Sequence, residues 1–267
     1  MSEAQLTNDH GVFSYSSRNK IARITFERPK KYNTLTYEVI SEMQRVLKVI
    51  ANDQSVNVLV IASRGKSFCT GHDMKEMNAK RDEKFYQDLL FECSKMMQQL
   101  LALPQPVIAQ VQGIATAAGC QLVATCDLAV ASADARFATN GIDNGLYCAT
   151  PSVALSRVVP RKHSLEMLLT GDFITADRAA EIGLINRVVE PIKLESEVTN
   201  LASRLAEHPR NLLSRGKASF YRQINQPLDL AYKGTSDDLV YNLLEDEGQE
   251  GLSAFVEKRR PFWKTPE

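Results

Sequence analysis

The chain has 267 residues, with 32 Lys and Arg balanced by 32 Asp and Glu, so its formal charge at neutral pH is zero. That balance argues against a general nucleic-acid binder, which needs a basic surplus to displace counterions from phosphates, and against a membrane-surface protein built on basic amphipathic segments. At 44% apolar and 24% charged residues the composition is that of a globular protein, large enough to bury roughly 70–75% of its unfolded surface without a metal or disulfide staple.

In chain order, residues 20–26 are apolar or small at 22, 24 and 26, which predicts a half-buried strand ended by Arg28-Pro29-Lys30-Lys31. Thr36 is a predicted N-cap for a helix whose apolar residues fall at 39, 40, 43, 46, 47 and 50. Val56 to Ile61 reads as a short buried strand and Ser63 to Asp73 as a polar loop. Phe85 to Leu101 again shows helical spacing, stopped by Pro104 and Pro106 before a strand at Val107 to Val111. The small-residue turn Gly113 to Gly119 leads into a short helix and the strand Leu128 to Ala131. This alternation predicts an α/β body with mostly parallel strands. Helices are then expected near 195–207, 210–224 and 228–246, followed by a polar segment Asp246 to Gly251 and a last helix Leu252 to Arg260 stopped by Pro261.

Five cysteines, at 69, 93, 120, 126 and 148, form no C-x-x-C pair, and the four histidines are scattered, so reduced thiols and no metal site are expected. No run approaches the ~18 apolar residues of a membrane span, and Met1 to Gln5 has neither the basic flank nor the apolar stretch of a leader. The expectation is a cytoplasmic protein, or a processed form in the mitochondrial matrix.

Two loops carry chemistry: Ser67 to Met77 and Gly113 to Gln121. Each combines glycine with small residues after an apolar strand, so backbone amides could approach a ligand oxygen. A pair of such donors is what an oxyanion hole requires. In their order and separation these loops resemble those of the crotonase superfamily, the enoyl-CoA hydratase/isomerase family. Arg28-Pro29 with Asn33-Thr34-Leu35, Phe68 to Met77, Pro106 to Gly113, Ala118 to Leu122, Cys126 to Ala131 and Glu250 to Arg259 are similar to its motifs, so the resemblance covers nearly the whole chain.

The resemblance implies a spiral of β-β-α repeats over residues 1–195 and a helical C-terminal region over 196–267 that trimerises, often as a dimer of trimers, and covers coenzyme A. It implies an acyl-CoA ligand in fatty-acid metabolism, with coenzyme A part of the substrate and no permanently bound cofactor. Gly113-x5-Gly119 is neither a dinucleotide nor a P-loop fingerprint, which counts against a dehydrogenase. The two oxyanion donors would be the N–H groups of His72 and Ala118. Lys30, Lys31, Asp73, Met74, Lys75, Phe255 and Lys258 would lie along the coenzyme.

The departures concern catalysis. The positions of the two family glutamates that hold and deprotonate water read Gln121 and Gly141. An amide can orient water but cannot accept its proton, and glycine offers nothing. Asp143 is the candidate substitute acid, since on a strand it would share a face with position 141; the alternative is a turn role among its Asn-Gly flanks. Two functions follow: an acyl-CoA enzyme that relies on its oxyanion hole with weak or absent hydration, or a degenerate acyl-CoA carrier, sensor or scaffold.

Overall fold

The computed structural model describes residues 11–263. Its strands are β1 (Phe13–Arg18), β2 (Ile21–Phe26), β3 (Val58–Ser63), β4 (Ser67–Cys69), β5 (Val107–Val111), β6 (Ile114–Thr116), β7 (Leu128–Ser132), β8 (Arg136–Ala138), β9 (Ile174–Thr175) and β10 (Arg187–Val189). They form a six-stranded sheet of order β1-β2-β3-β5-β7-β10 and a four-stranded sheet of order β4-β6-β8-β9. In the larger sheet only the β1–β2 pair is antiparallel; in the smaller, only β8–β9. The pairs β3/β4, β5/β6 and β7/β8 each place their first strand in the large sheet and their second in the small one. This is the β-β-α spiral expected for the chain.

The helices are α1 (Tyr37–Asn52), α2 (Met74–Ala79), α3 (Glu83–Ala102), α4 (Ala118–Thr125), α5 (Ala149–Val158), α6 (Arg161–Thr170), α7 (Ala176–Glu181), α8 (Leu194–Ala206), α9 (Arg210–Gln223), α10 (Leu228–Leu244) and α11 (Asp246–Val256). The Thr36 side chain caps α1 as predicted, and every apolar position read from the periodicity of α1 is buried. The central strands are apolar on both faces because both are covered. Leu59, Ile61, Val107, Ala109 and Ala129 point into the main core, while Val58, Val60, Ile108 and Val130 meet Val198 and Ala202 of α8. α8, most of which falls in the stretch expected to belong to the C-terminal helical region, thus packs on the sheet.

Three expectations change. β1 was not anticipated, although Phe13 and Tyr15 alternate with exposed serines. The loop at 63–73 and the turn at 113–119 contain β4 and β6. Asp246 to Gly251 is helical and forms the first turns of α11, which ends at Val256 instead of Arg260. All five cysteines are free and buried. Among the described residues, no helix is long and apolar enough to cross a membrane.

The contact that docks α9 on the core is polar. Lys217 Nζ lies 2.7 Å from Asp127 Oδ2 with both side chains largely buried, and it also donates to the carbonyls of Leu100 at 2.8 Å and Gln105 at 3.1 Å. Asp127 accepts from the Tyr221 hydroxyl at 2.8 Å and the Val107 N–H at 2.6 Å. Burial pulls the Lys217 pKa down, and the Asp127 charge offsets this only in part. Removing one partner leaves a buried charge uncompensated, so Lys217→Met should cost about 3–5 kcal/mol in urea unfolding. Adding Asp127→Leu to it should recover part of that loss; a single variant within 1 kcal/mol of the parent would refute the assignment.

Candidate active site

Two short strands bring the predicted donor loops together. β4 pairs with β6 in parallel, Ser67 opposite Ile114 and Cys69 opposite Ala115. The contact beyond the pairing is backbone against backbone. A Cβ on Gly113 would stand 2.1 Å from the Lys66 carbonyl oxygen, one on Gly119 1.9 Å from that of Cys69, and one on Gly71 2.9 Å from the Ala118 nitrogen. Gly71 also has φ +84°, where a side chain is strained. β6 gives way to α4 in one residue, Ala117, with φ 49° and ψ −121°. This costly conformation is held by the bond from Ala117 N–H to the Ala138 carbonyl and by Gln121 N–H donating to Ala117.

The result is that the amide after Gly71, on His72, and the amide of Ala118 at the first turn of α4 stand side by side. Neither N–H has an acceptor among the described residues. The Ala118 amide also has the positive end of the helix dipole behind it. Both residues line a cavity of about 570 Å³ together with Gly141 and Cys148. That volume lies within the range of small-molecule sites.

The cavity is electrically quiet. Among the described residues on its wall there is no Asp, Glu, Lys or Arg. His72 Nε2 is closed off without a hydrogen-bond partner, and burial lowers the imidazole pKa to about 4, so the ring is neutral at physiological pH. Gln121 is buried within α4, its Oε1 also without a partner, but it does not line the cavity. Gly141 does line it. A Cβ there would meet the Leu146 carbonyl oxygen at 2.4 Å and Cys148 Sγ at 2.9 Å, so the space for a longer side chain is already filled. Burial raises the Cys148 thiol pKa, opposed by the Gly141 backbone amide.

Asp143, the expected substitute acid, does not line the cavity. It sits exposed on the 3-10 turn Asn140–Asn144, and its Oδ1 faces Gly171, where a Cβ would lie 3.2 Å away. The turn reverses the strand geometry that would have aimed it inward. Met74 lines the cavity, and Asp73 caps α2 by accepting from Lys75 N–H at 2.9 Å and Glu76 N–H at 3.1 Å. Burial raises the Asp73 pKa, but these two bonds, the Thr34 hydroxyl and the Lys31 charge outweigh it and hold the carboxyl below its usual range. Lys30, Lys31 and Lys75 are exposed on the segments flanking this cap, whereas Phe255 and Lys258 lie exposed at the end of α11 and do not line this cavity. Ser67, Met77, Leu90 and Phe173 also line the wall, as do the polar Tyr32, Thr70, Thr116, Asn140, Asn144 and Tyr147. Met77 and Leu90 sit at helical positions that composition alone assigns to core, which is why periodicity does not single them out.

Two outcomes follow from this geometry. Gly119→Ala should gain about 1 kcal/mol of helix propensity yet lose about 1–3 kcal/mol or more to the clash with Cys69; net destabilisation in thermal unfolding is expected, and a more stable variant would refute the close contact. His72 has a folded pKa below its unfolded one, so it adds no pH dependence above about pH 6.5 and withdraws stability as pH falls toward 4. The loss should reach about 2 kcal/mol at pH 5. His72→Gln should flatten that part of the urea-stability profile, and an unchanged profile would show that the ring is not desolvated.

The sequence matches the family described as enoyl-CoA hydratase/isomerase over residues 16–266. Enoyl-CoA hydratase domain-containing protein 3, mitochondrial, of Xenopus laevis is 44% identical over 243 residues, covering 91% of this chain and 83% of that protein. An enoyl-CoA hydratase structure from Mycobacterium smegmatis is similar with a TM-score of 0.93 and 45% identity, covering 94% of this chain and 98% of the other. The structure of human enoyl coenzyme A hydratase domain-containing protein 3 gives a TM-score of 0.92 at 43% identity, covering 94% of this chain and 100% of that one. The match runs through both donor loops, the spiral of strands and the C-terminal helices, and the chain therefore belongs to the enoyl-CoA hydratase/isomerase family of the crotonase superfamily.

Proposed function

We propose that this protein binds acyl-CoA thioesters and polarises the thioester carbonyl between the N–H groups of His72 and Ala118, with ordinary enoyl-CoA hydration weak or absent. The observation that carries the reading is a cavity wall with two unengaged backbone donors and no carboxylate. Oxyanion donors of this kind are worth about 10²- to 10³-fold each, whereas loss of a positioned acid or base costs about 10²- to 10⁴-fold. Enolate stabilisation is retained while proton transfer to and from water lacks a partner. Gln121 lies off the wall and Cys148 fills the space beside Gly141, so neither vacated position offers a base. The same facts support a second reading, a carrier, sensor or scaffold that binds acyl-CoA without turning it over.

The exposed Lys30, Lys31 and Lys75 suit the phosphates of the coenzyme as point charges. Phe255 and Lys258 would reach such a ligand only from a neighbouring copy. Homotrimer formation, alone or as a dimer of trimers, is favoured by α9 to α11: Leu228, Tyr232, Leu244, Phe255 and Val256 are all exposed, and these helices bury almost nothing in the isolated chain. Of the two compartments expected, the mitochondrial one is supported by the name of the Xenopus relative.

Steady-state assays on short and medium trans-2-enoyl-CoA substrates should give kcat/KM at least about 10²-fold below that of a glutamate-bearing hydratase of the family; turnover within tenfold of such an enzyme would overturn the proposal. Calorimetry with a saturated acyl-CoA should show binding, and its absence would remove both readings.

A further inference from the structure

The cavity runs along one edge of the small sheet, and the sheet fixes the order of its parts. β4, β6 and β8 are parallel and β9 runs against them, in the order β4-β6-β8-β9, so the ends of the first three strands and the start of the fourth meet at the same edge. The His72 amide lies beyond β4, the Ala118 amide beyond β6 and Gly141 beyond β8, while Phe173 stands directly before β9. On the far side of β4 comes Tyr32, whose carbonyl accepts from the Thr70 hydroxyl at 3.3 Å. Lys30 and Lys31 precede it, and the Thr34 hydroxyl, 3.2 Å from Asp73 Oδ2, ties the Lys75 segment to the same side.

The two unengaged amides therefore stand between an end flanked by lysines and an end built around Gly141. Leu146 donates its N–H to the Gly141 carbonyl at 3.0 Å, and a Cβ on Gly171 would lie 2.9 Å from Ile142 Cγ2 and 3.3 Å from Asn140 Cα. Residues 146–148 and 171–173 thus gather at the 3-10 turn. Leu146, Tyr147 and Phe173 line the cavity there yet keep 46%, 50% and 50% of their surface exposed. The polar side chains among them, Asn140, Asn144 and Thr150, carry no charge.

From this order we infer that the acyl group this site takes is an uncharged apolar chain long enough to reach Phe173, about eight carbons, and that Leu146, Tyr147 and Phe173 cover it. This rests on the acyl-CoA reading above: with phosphates at the lysines and the thioester oxygen at the amides, the Gly141 end is left for the acyl chain. Neighbouring strands lie about 4.8 Å apart, so Phe173, two strands from Ala118, is on the order of 10 Å away. An extended chain advances roughly 1.2 Å per bond, so a short acyl group stops before these side chains and leaves them in water. Each methylene that moves from water onto this wall should tighten binding by as much as about fourfold. A charged acyl group would find no counter-ion there.

The test is calorimetry of the full chain with free coenzyme A, butanoyl-CoA and octanoyl-CoA, repeated on the Leu146→Ser, Phe173→Ser double variant. Octanoyl-CoA should bind at least about tenfold more tightly than butanoyl-CoA, and the double variant should cut that ratio to about threefold or less while still binding free coenzyme A. Should the double variant lose free coenzyme A as well, Phe173→Ser alone is read by the same ratio. The inference is overturned if octanoyl-CoA binds within about threefold of butanoyl-CoA, or if the ratio survives in the variant, which would send the chain toward Met77 and Leu90 instead. Failure of coenzyme A and of both thioesters would remove the acyl-CoA reading and this inference with it, whereas equal binding of the two thioesters removes only the latter.

Discussion

The site depends on one constraint, the absence of side chains where residues 66–71 press against residues 113–119. At Gly113 and Gly119 the opposing carbonyl oxygens of Lys66 and Cys69 occupy the place of a Cβ. At that distance the two backbones cannot slide without either opening a void or losing the β4–β6 pairing. The donors of His72 and Ala118 inherit this rigidity, since each follows a residue held within the seam. Ala117 shows what it costs: a non-glycine residue is kept at φ 49° so that a strand can become a helix in a single step. Oxyanion stabilisation needs donors that do not reorganise, and a main-chain seam supplies that whatever the side chain at 72 or 118.

Around this rigid pair the charge is removed from the centre and kept at the margin. The chain is neutral overall, and its cavity wall is neutral as well, but for different reasons at each position. His72 is neutral because burial makes the charged ring unfavourable. Position 141 is neutral because a side chain there would run into Leu146 and Cys148. The second case is the more restrictive, because a glutamate could not be restored at 141 without moving the segment 146–148. The lack of a side chain at 141 is thus built into the backbone path and not confined to one residue.

The large sheet and the long helices were legible in the sequence because each has many residues to declare a period. β3, β5 and β7 are runs of apolar residues covered on both sides, and α1 repeats its apolar face over 16 residues. β4, β6 and β8 have three residues each, too few for alternation to be seen. Yet these are the strands that carry the site. The donor loops were visible through resemblance, while the placement of Asp143 was not: whether positions 141 and 143 share a face depends on strand against turn, and the 3-10 turn there packs against α6, which lies farther along the chain.

α4 connects this site to the part of the chain that is otherwise exposed. It is eight residues long and wholly buried, on the order of 12 Å from end to end. Its first residue offers the Ala118 donor. Its C-terminal cap, Cys126, is followed at once by Asp127, which is held by Lys217 and Tyr221 of α9 and by the amide of β5. This short helix, packed on all sides, thus carries the Ala118 amide at one end and the buried Asp127–Lys217 pair at the other. The bonds on Asp127 from two elements at once make that junction stiff, in contrast to the surface pairs of the same chain, which are screened by water. The helix whose first residue lines the cavity is therefore tied at its far end to α9, the first of the helices that leave their apolar side chains exposed.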